Sequence, residues 1–295
     1  MPRVLIAFKT SPQGVDWPTL EATWTLGGEL PVFDAAWAND HLTDPNAERG
    51  GSSFEALTMI AALAHRVPGK WVGHTVLSNT FRHPAVVAKA ATLLDHVTGG
   101  RFILGLGAGW HEDEHAAYGI DLPPIGERIG RLDSAVRTIR GLWSPDAARD
   151  EGVTRDDPYY PLRGAVNLPS PLTAGGPPIW LGGQGPRGLR MAAELADGWP
   201  TPAIPEPDVP YFTERRDALL AEMERIGRDP TDFHFAAQIA TGADATSRRR
   251  ALEGALAYAR AGADHIVLGM PARLGPDGLL IVAHELAEPL REALD

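Results

Sequence analysis

Apolar positions recur along this chain in two alternating periods. Short apolar runs at Val4 to Phe8, Phe33 to Ala38, Trp71 to Ser78, Arg101 to Leu106, Ile179 to Gly182, Asp197 to Trp199, Phe233 to Ala240 and His265 to Met270 predict eight strands. Between them, helical spacing predicts segments at Trp17 to Leu30, Phe54 to Val67, Pro84 to Thr98, Arg128 to Trp143, Pro186 to Leu195, Val209 to Ile226, Thr246 to Ala261 and Gly278 to Leu294. In the third of these, Val86, Ala90, Leu93 and Val97 share one face; in the fourth, Ile129, Leu132, Val136, Ile139 and Trp143 do so, with arginines opposite. Strand and helix alternate throughout, which predicts an α/β fold, a (β/α)8 TIM barrel forming one domain over residues 1–295, with a doubly wound sheet as the alternative.

Two loop insertions interrupt the alternation. Residues 40–52, DHLTDPNAERGGS, follow the second strand and so belong on the C-terminal face of a barrel, where active sites lie. Residues 144–178, rich in Pro, Gly and Asp, precede the fifth strand, nominally on the opposite face, and read as an excursion or an interface.

Charge narrows the partners. Asp plus Glu number 38 against 27 Lys plus Arg, a net charge of -11, which argues against nucleic acid or anionic lipid and leaves a small molecule as the expected partner. Cysteine is absent, which removes disulfides, thiolate nucleophiles and thiolate metal ligands and fits a reducing cytoplasm. The apolar run in MPRVLIAFKT is too short for a signal segment or membrane span, so a cytoplasmic protein is expected.

Candidate chemistry gathers at strand ends. Gly105, Gly107 and Gly109 strip side chains where the fourth strand finishes, a place for close approach of a ligand or of another backbone. Gly183-Gln184-Gly185-Pro186-Arg187-Gly188 fits G-x-G-x-x-G. Its acidic partner on a following strand is missing, so the dinucleotide reading is weak, but a glycine turn, a helix N-terminus and Arg187 make an anion site in any α/β fold. His111-Glu112-Asp113-Glu114-His115 matches H-E-x-x-H, the zinc peptidase signature. Tyr118 and Asp121 stand where the metzincin extension needs Gly and His, leaving Glu127 as a candidate third ligand for a zinc hydrolase. The other reading of this string is a solvated helix start with acids near its N-terminus. Asp40 and His41 close the second strand, and Ser78 to Thr80 the third. His83, before Pro84, reads as a helix cap; His65, His74, His96, His234 and His284 stand alone and read as structural.

Together, FDAAWANDHL (33–42), TVLSNTFRHPAVVAKAATLLDHVTGGRFILGLGAGWHEDEHAAYGI (75–120) and PPIWLGGQGPRGLRMAAELADGW (177–199) resemble the bacterial luciferase-like family of flavin- and deazaflavin-dependent oxidoreductases. The resemblance implies a luciferase-like barrel, usually dimeric, that binds FMN or coenzyme F-420 at the C-terminal ends of its strands. It implies a non-prolyl cis peptide at Thr75-Val76 supporting one face of the ring, and Asp40 and His41 near the ring's reactive edge. It implies Asn79, Gly107, Ala108, Gly109, Trp110, Gly182, Gly183, Gln184, Gly185, Pro186 and Arg187 around the cofactor, the glycine turns holding its phosphate and ribityl chain.

The Asp-His pair resembles the deazaflavin branch, so coenzyme F-420 is the favoured cofactor and hydride transfer to or from a small organic substrate the expected reaction. Trp110 stands where the deazaflavin sugar-phosphate dehydrogenases carry a catalytic glutamate, which argues against that activity. His41 is then the expected general acid or base, Asp40 its orienting group, and His111 or Glu112 a second candidate. The alternative is a two-component FMN monooxygenase served by a flavin reductase.

Overall fold

Eight parallel strands close into a ring in the computed structural model, which describes residues 3–45, 47, 51–203 and 206–295. In chain order the strands are β1 (Leu5–Thr10), β2 (Ala35–Ala38), β3 (Trp71–His74), β4 (Leu77–Ser78), β5 (Phe102–Gly107), β6 (Val153–Arg155), β7 (Leu162–Ala165), β8 (Ile179–Leu181), β9 (Gly198–Pro200), β10 (His234–Ala240) and β11 (His265–Met270). The ring runs β1-β2-β3-β5-β8-β9-β10-β11 and closes through β1 and β11, where Lys9 pairs with Gly269. β4 continues β3 beyond a break and pairs with β5, Leu77 against Leu106. Helices α1 (Trp17–Glu29), α2 (Ala56–Leu63), α3 (Pro84–Thr98), α4 (Glu112–Tyr118), α5 (Ile125–Leu142), α6 (Pro186–Leu195), α7 (Val209–Arg225), α8 (Ala245–Arg260), α9 (Gly275–Val282) and α10 (Glu288–Leu294) are threaded between the strands. The expected last helix divides into α9 and α10 around a π-helical turn at Ala283–Ala287.

Every second residue of the ring points inward, and two indoles fill its interior. Trp37 and Trp180 lie with ring centroids 5.0 Å apart, surrounded by Ala7, Ala35, Ile103, Ala236 and Val267. The outward residues, such as Phe8 against Trp24 and Phe33, bury the helices in a second, larger core. On α5, Leu132, Val136, Ile139 and Trp143 are buried as their spacing requires.

α3 departs from its sequence pattern. Val87, Ala88, Ala91 and Leu94 face the barrel, while the stripe Val86, Leu93 and Val97 is turned to solvent at 61%, 59% and 45% exposure. A helix with apolar residues on both sides carries two overlapping stripes, and periodicity alone does not say which one the sheet takes.

The 144–178 segment forms an antiparallel hairpin of β6 and β7. It climbs along α5, where Thr138 Oγ1 donates to the Tyr160 carbonyl at 3.3 Å and Arg155 Nη1 to Thr138 Oγ1 at 2.9 Å. Its tip therefore reaches the strand C-terminal face that sequence order alone assigns to the other loops. Within the 40–52 loop, residues 46 and 48–50 lie outside the described residues.

Candidate active site

The third barrel strand breaks at a cis peptide between Thr75 and Val76. Val76 then projects over the neighbouring strands. A Cβ on Gly107 would stand 2.6 Å from Val76 Cγ2, one on Gly182 3.1 Å from it, and one on Gly105 1.9 Å from the His74 carbonyl oxygen. These three glycines thus make room for the protein's own bulge. Gly109, at φ +80°, likewise admits the Ser78 and Thr80 hydroxyls, 2.8 and 2.7 Å from where its Cβ would sit. The space is open at Gly185, which has nothing within 4 Å of an added Cβ, whereas Gly183, at φ +137°, approaches Gly188 of α6, whose Cα lies 3.4 Å from where its Cβ would sit. That turn, with Pro186 opening α6 and Arg187 exposed beside it, is the part of the glycine pattern free to meet a ligand. Gln184 differs from expectation, because its amide already bonds within the protein: Nε2 donates to the Pro200 carbonyl at 3.4 Å and Oε1 accepts from Tyr211 Oη at 3.2 Å.

Asp40 and His41 leave β2 as adjacent residues but serve different partners. Asp40 is buried and takes Arg82 in a two-pronged ion pair, Nη1 to Oδ2 at 2.7 Å and Nη2 to Oδ1 at 2.9 Å, while Oδ2 also accepts the Ser78 amide at 2.8 Å. Arg82 in turn binds Glu55. Burial alone would raise the Glu55 carboxyl, but hydrogen bonds from Thr58 and the Arg82 charge outweigh it and hold the group at about 2. Asp40 therefore ties β2 to the bulged strand and does not orient His41.

The carboxylate on His41 belongs to Glu114 of α4, whose Oε2 lies 3.0 Å from His41 Nδ1. Glu114 is 1% exposed; its Oε1 accepts the amides of Leu42 and Thr43, the latter at 3.0 Å. The HEDEH string held this residue, since Glu114 is three positions past His111 and turns to the inner side of the helix. Glu112, in the first turn, is exposed. Trp110, 65% exposed, sets its ring edge-on to His41 at 5.7 Å and to His111 at 4.9 Å. His111 stands 6.0 Å from His41.

The zinc reading fails on hydrogen bonding. His111 Nδ1 caps α4 by accepting the Glu114 amide at 3.1 Å. His115 Nδ1 donates to the His111 carbonyl at 2.7 Å and Nε2 bonds Thr80 Oγ1 at 2.7 Å, so both ring nitrogens are engaged. Among the described residues the group with metal-binding geometry is instead His234, Asp264 and His265, at the strand N-terminal end. His234 thus has a constellation that its isolated position in the chain does not reveal. His83 accepts the Ala85 amide at 3.2 Å and caps α3.

Two features escape sequence reading. Lys9 of β1 alternates inward with Ala7, and its Nζ donates to Gln238 Oε1 at 2.7 Å with no carboxylate pairing among the described residues. Burial lowers its pKa to about 8. The signal was a single Lys in an apolar strand. The second feature is a cavity of about 310 Å³ between the end of β4, the start of α5 and the hairpin tip; Asn79, itself buried, lines it and donates to Tyr160 Oη at 3.4 Å.

Comparison with known proteins finds relatives of this chain by sequence and by fold. The sequence pattern of the family described as luciferase-like monooxygenase matches residues 29–292. A phthiodiolone/phenolphthiodiolone dimycocerosates ketoreductase of Mycobacterium tuberculosis is 32% identical over 279 residues, covering 84% of this chain and 71% of that protein. An F-420-dependent glucose-6-phosphate dehydrogenase of Nakamurella multipartita is 30% identical over 253 residues, 85% of this chain and 71% of its own. Among solved structures, an F-420-dependent secondary alcohol dehydrogenase superposes with a TM-score of 0.78 at 18% identity over 98% of this chain and 99% of its own; a long-chain alkane monooxygenase superposes with 0.76 at 16% over 99% and 92%.

Proposed function

The chain belongs to the luciferase-like monooxygenase family of oxidoreductases, and from that premise we propose that it transfers a hydride between coenzyme F-420 and a small organic substrate. One barrel domain spanning residues 1–295 carries the activity in this reading, in the cytoplasm, as the cysteine-free composition suggests.

The residues fit such a coenzyme. Val76 offers an apolar surface at the strand ends, and the buried atoms Thr75 Oγ1 and Asn39 Oδ1 have no hydrogen-bond partner among the described residues. The Gly183–Gly185 turn at the N-terminus of α6, open at Gly185, presents amides suited to a phosphate. When bound, the deazaflavin supplies two-electron hydride chemistry through a carbon where a flavin has nitrogen.

The protein contributes proton handling and orientation. A carboxylate at His41 Nδ1 requires the proton there, which leaves Nε2 to accept a proton from an alcohol or, once charged, to give one to a carbonyl. Glu114 holds this ring through a single carboxylate that also anchors the following backbone, so the imidazole is fixed before substrate arrives. The buried His41–Glu114 pair is the observation that carries the proposal. Lys9 adds a cation at the barrel mouth for an oxygen that gains negative charge.

The same proposal includes a homodimer. The exposed stripe of α3 continues into Leu168 and Leu172, 55% and 56% exposed, because Lys89 Nζ donates to the Leu168 carbonyl and His96 Nε2 to that of Ser170, both at 2.9 Å. Contiguous apolar surface of this kind fits a second copy of the chain.

The test is titration of the purified protein with coenzyme F-420 and, separately, with FMN, followed by quenching of tryptophan fluorescence. Preferential binding of the deazaflavin, with bleaching of its visible absorbance on adding alcohols, supports the proposal. Preferential binding of FMN, with oxygen consumed once a flavin reductase is supplied, refutes it in favour of monooxygenation.

A further inference from the structure

We infer that the cavity beside Tyr160 is an anion subsite, in which Arg128 receives a carboxylate or phosphate group of a ligand seated at the strand ends. Arg128 projects from the first turn of α5 and its Nη1 donates to the Gly109 carbonyl, but no carboxylate among the described residues pairs with it. Its Nε is buried with no hydrogen-bond partner among those residues. A half-buried guanidinium held in this way loses water contacts that only an opposite charge restores.

Its neighbours are compensated. Arg82, on the cavity wall, is neutralised by Asp40 and Glu55, and Arg131 pairs with Glu127 at 2.7 Å while stacking 5.6 Å from the Tyr159 ring centroid. Asp121 lines the cavity and is exposed to solvent, and His83 is committed through Nδ1 to capping α3. Among the described residues lining this space of about 310 Å³ the uncompensated cation is thus Arg128, and the Asn79 amide and Tyr160 hydroxyl can donate hydrogen bonds there, whereas the Thr80 hydroxyl is taken up by Ser78 and His115. The volume admits a phosphate or carboxylate with its attached chain. The N-terminal dipole of α5 acts in the same direction. Through Gly109, Arg128 is joined to the turn that follows β5, so an anion here would be continuous with a ligand held at the strand ends.

Two sources could carry that group: the acidic chain of a deazaflavin coenzyme, or a substrate. The subsite is tested without either. Inorganic phosphate and citrate are titrated into the intact protein by calorimetry and thermal unfolding. Both should bind to the parent and raise its transition temperature, and Arg128→Met should weaken binding roughly tenfold to a hundredfold, the range for a charge-assisted hydrogen bond. The ligand-free variant should unfold at a temperature equal to or above the parent's, because an uncompensated charge has been removed. If the anions bind parent and variant equally, or bind neither, the subsite does not exist. A marked loss of stability in ligand-free Arg128→Met would reassign the residue to bracing Gly109.

A second comparison separates the sources, using coenzyme F-420 and its riboside lacking phosphate and tail. Loss in Arg128→Met of the parent's preference for the full coenzyme assigns the subsite to the coenzyme. An unchanged preference with loss of phosphate binding assigns it to the substrate. Anion binding in a protein that ignores every deazaflavin would leave the subsite standing and remove the hydride-transfer reading.

Discussion

Glu114 and His41, 73 positions apart in the chain, meet through a 3.0 Å contact between Oε2 and Nδ1, and the same carboxylate holds the backbone immediately after His41. One buried side chain therefore sets both the ring and the loop that carries it. Glu114→Gln keeps the shape but weakens two charge-assisted bonds to amides and allows the ring to turn. Turnover should fall roughly tenfold to a hundredfold while coenzyme affinity changes less than about threefold. Steady-state rates set beside fluorescence titration decide this; an unchanged kcat would leave His41 without a role in proton transfer.

Asp40 is a structural anchor rather than part of that pair. Asp40→Ala strands the Arg82 guanidinium with Glu55 alone, and breaking a buried ion pair on one side costs about 3 to 5 kcal/mol. Urea unfolding should show that loss. Glu55, held at about 2 against an ordinary value of 4.5, stabilises the fold above pH 4.5, and this contribution disappears as pH falls toward 2. In a charge-neutral Glu55→Gln variant the stability curve should be flatter across that window.

His74 produces a second acid sensitivity at milder pH. Burial pushes its pKa down from 6.5 to about 4, so the folded protein keeps it neutral where the unfolded chain takes up a proton. Its contribution is fully present above pH 6.5 and is lost as pH falls through 4, on the order of 3 kcal/mol in all. His74→Phe should lessen the slope between pH 6.5 and 4, measured by denaturant midpoints at several pH values.

Lys9 is charged below about pH 8 and neutral above it. If it stabilises an anionic oxygen at the barrel mouth, kcat/KM should decline as pH rises through 8, and Lys9→Met should lower the rate at pH 7 and abolish that decline. A pH profile identical in parent and variant would assign Lys9 to packing with Gln238 alone.

The apolar stripe on α3 predicts self-association. Leu93→Glu combined with Val86→Glu should convert a dimer to a monomer in sedimentation at micromolar concentration, with the far-ultraviolet circular dichroism unchanged, since both positions face away from the barrel core. A parent that already sediments as a monomer would remove the dimer from the proposed function.

How much was legible follows from the range of each interaction. The βα alternation, the barrel and the position of the glycine turns depend on local periodicity and backbone freedom, and the residues that break strand β3 and open the Gly183–Gly185 turn are adjacent in the chain. The partners of Asp40 and His41 were not readable that way. Adjacent residues on a strand end point in opposite directions, so Asp40 met Arg82 and His41 met Glu114, each from a distant element. In the sequence the strand-end glycines fit close approach of either a ligand or another part of the backbone, and only the folded geometry reveals that at Gly105, Gly107 and Gly182 it is Val76 and the His74 carbonyl that occupy the space side chains would need.

The sequence by itself determined the architecture and the end of the barrel at which the candidate site residues gather, because strand and helix periods, helix caps and turns are written within a few residues of one another. The tertiary structure alone decided which carboxylate serves which cation, which stripe of α3 faces the barrel, and that the 144–178 hairpin carries Tyr160 to the strand ends. Those outcomes are set by the order of packing around a closed sheet, where residues far apart in sequence compete for the same few ångströms, and no local pattern records who arrives there.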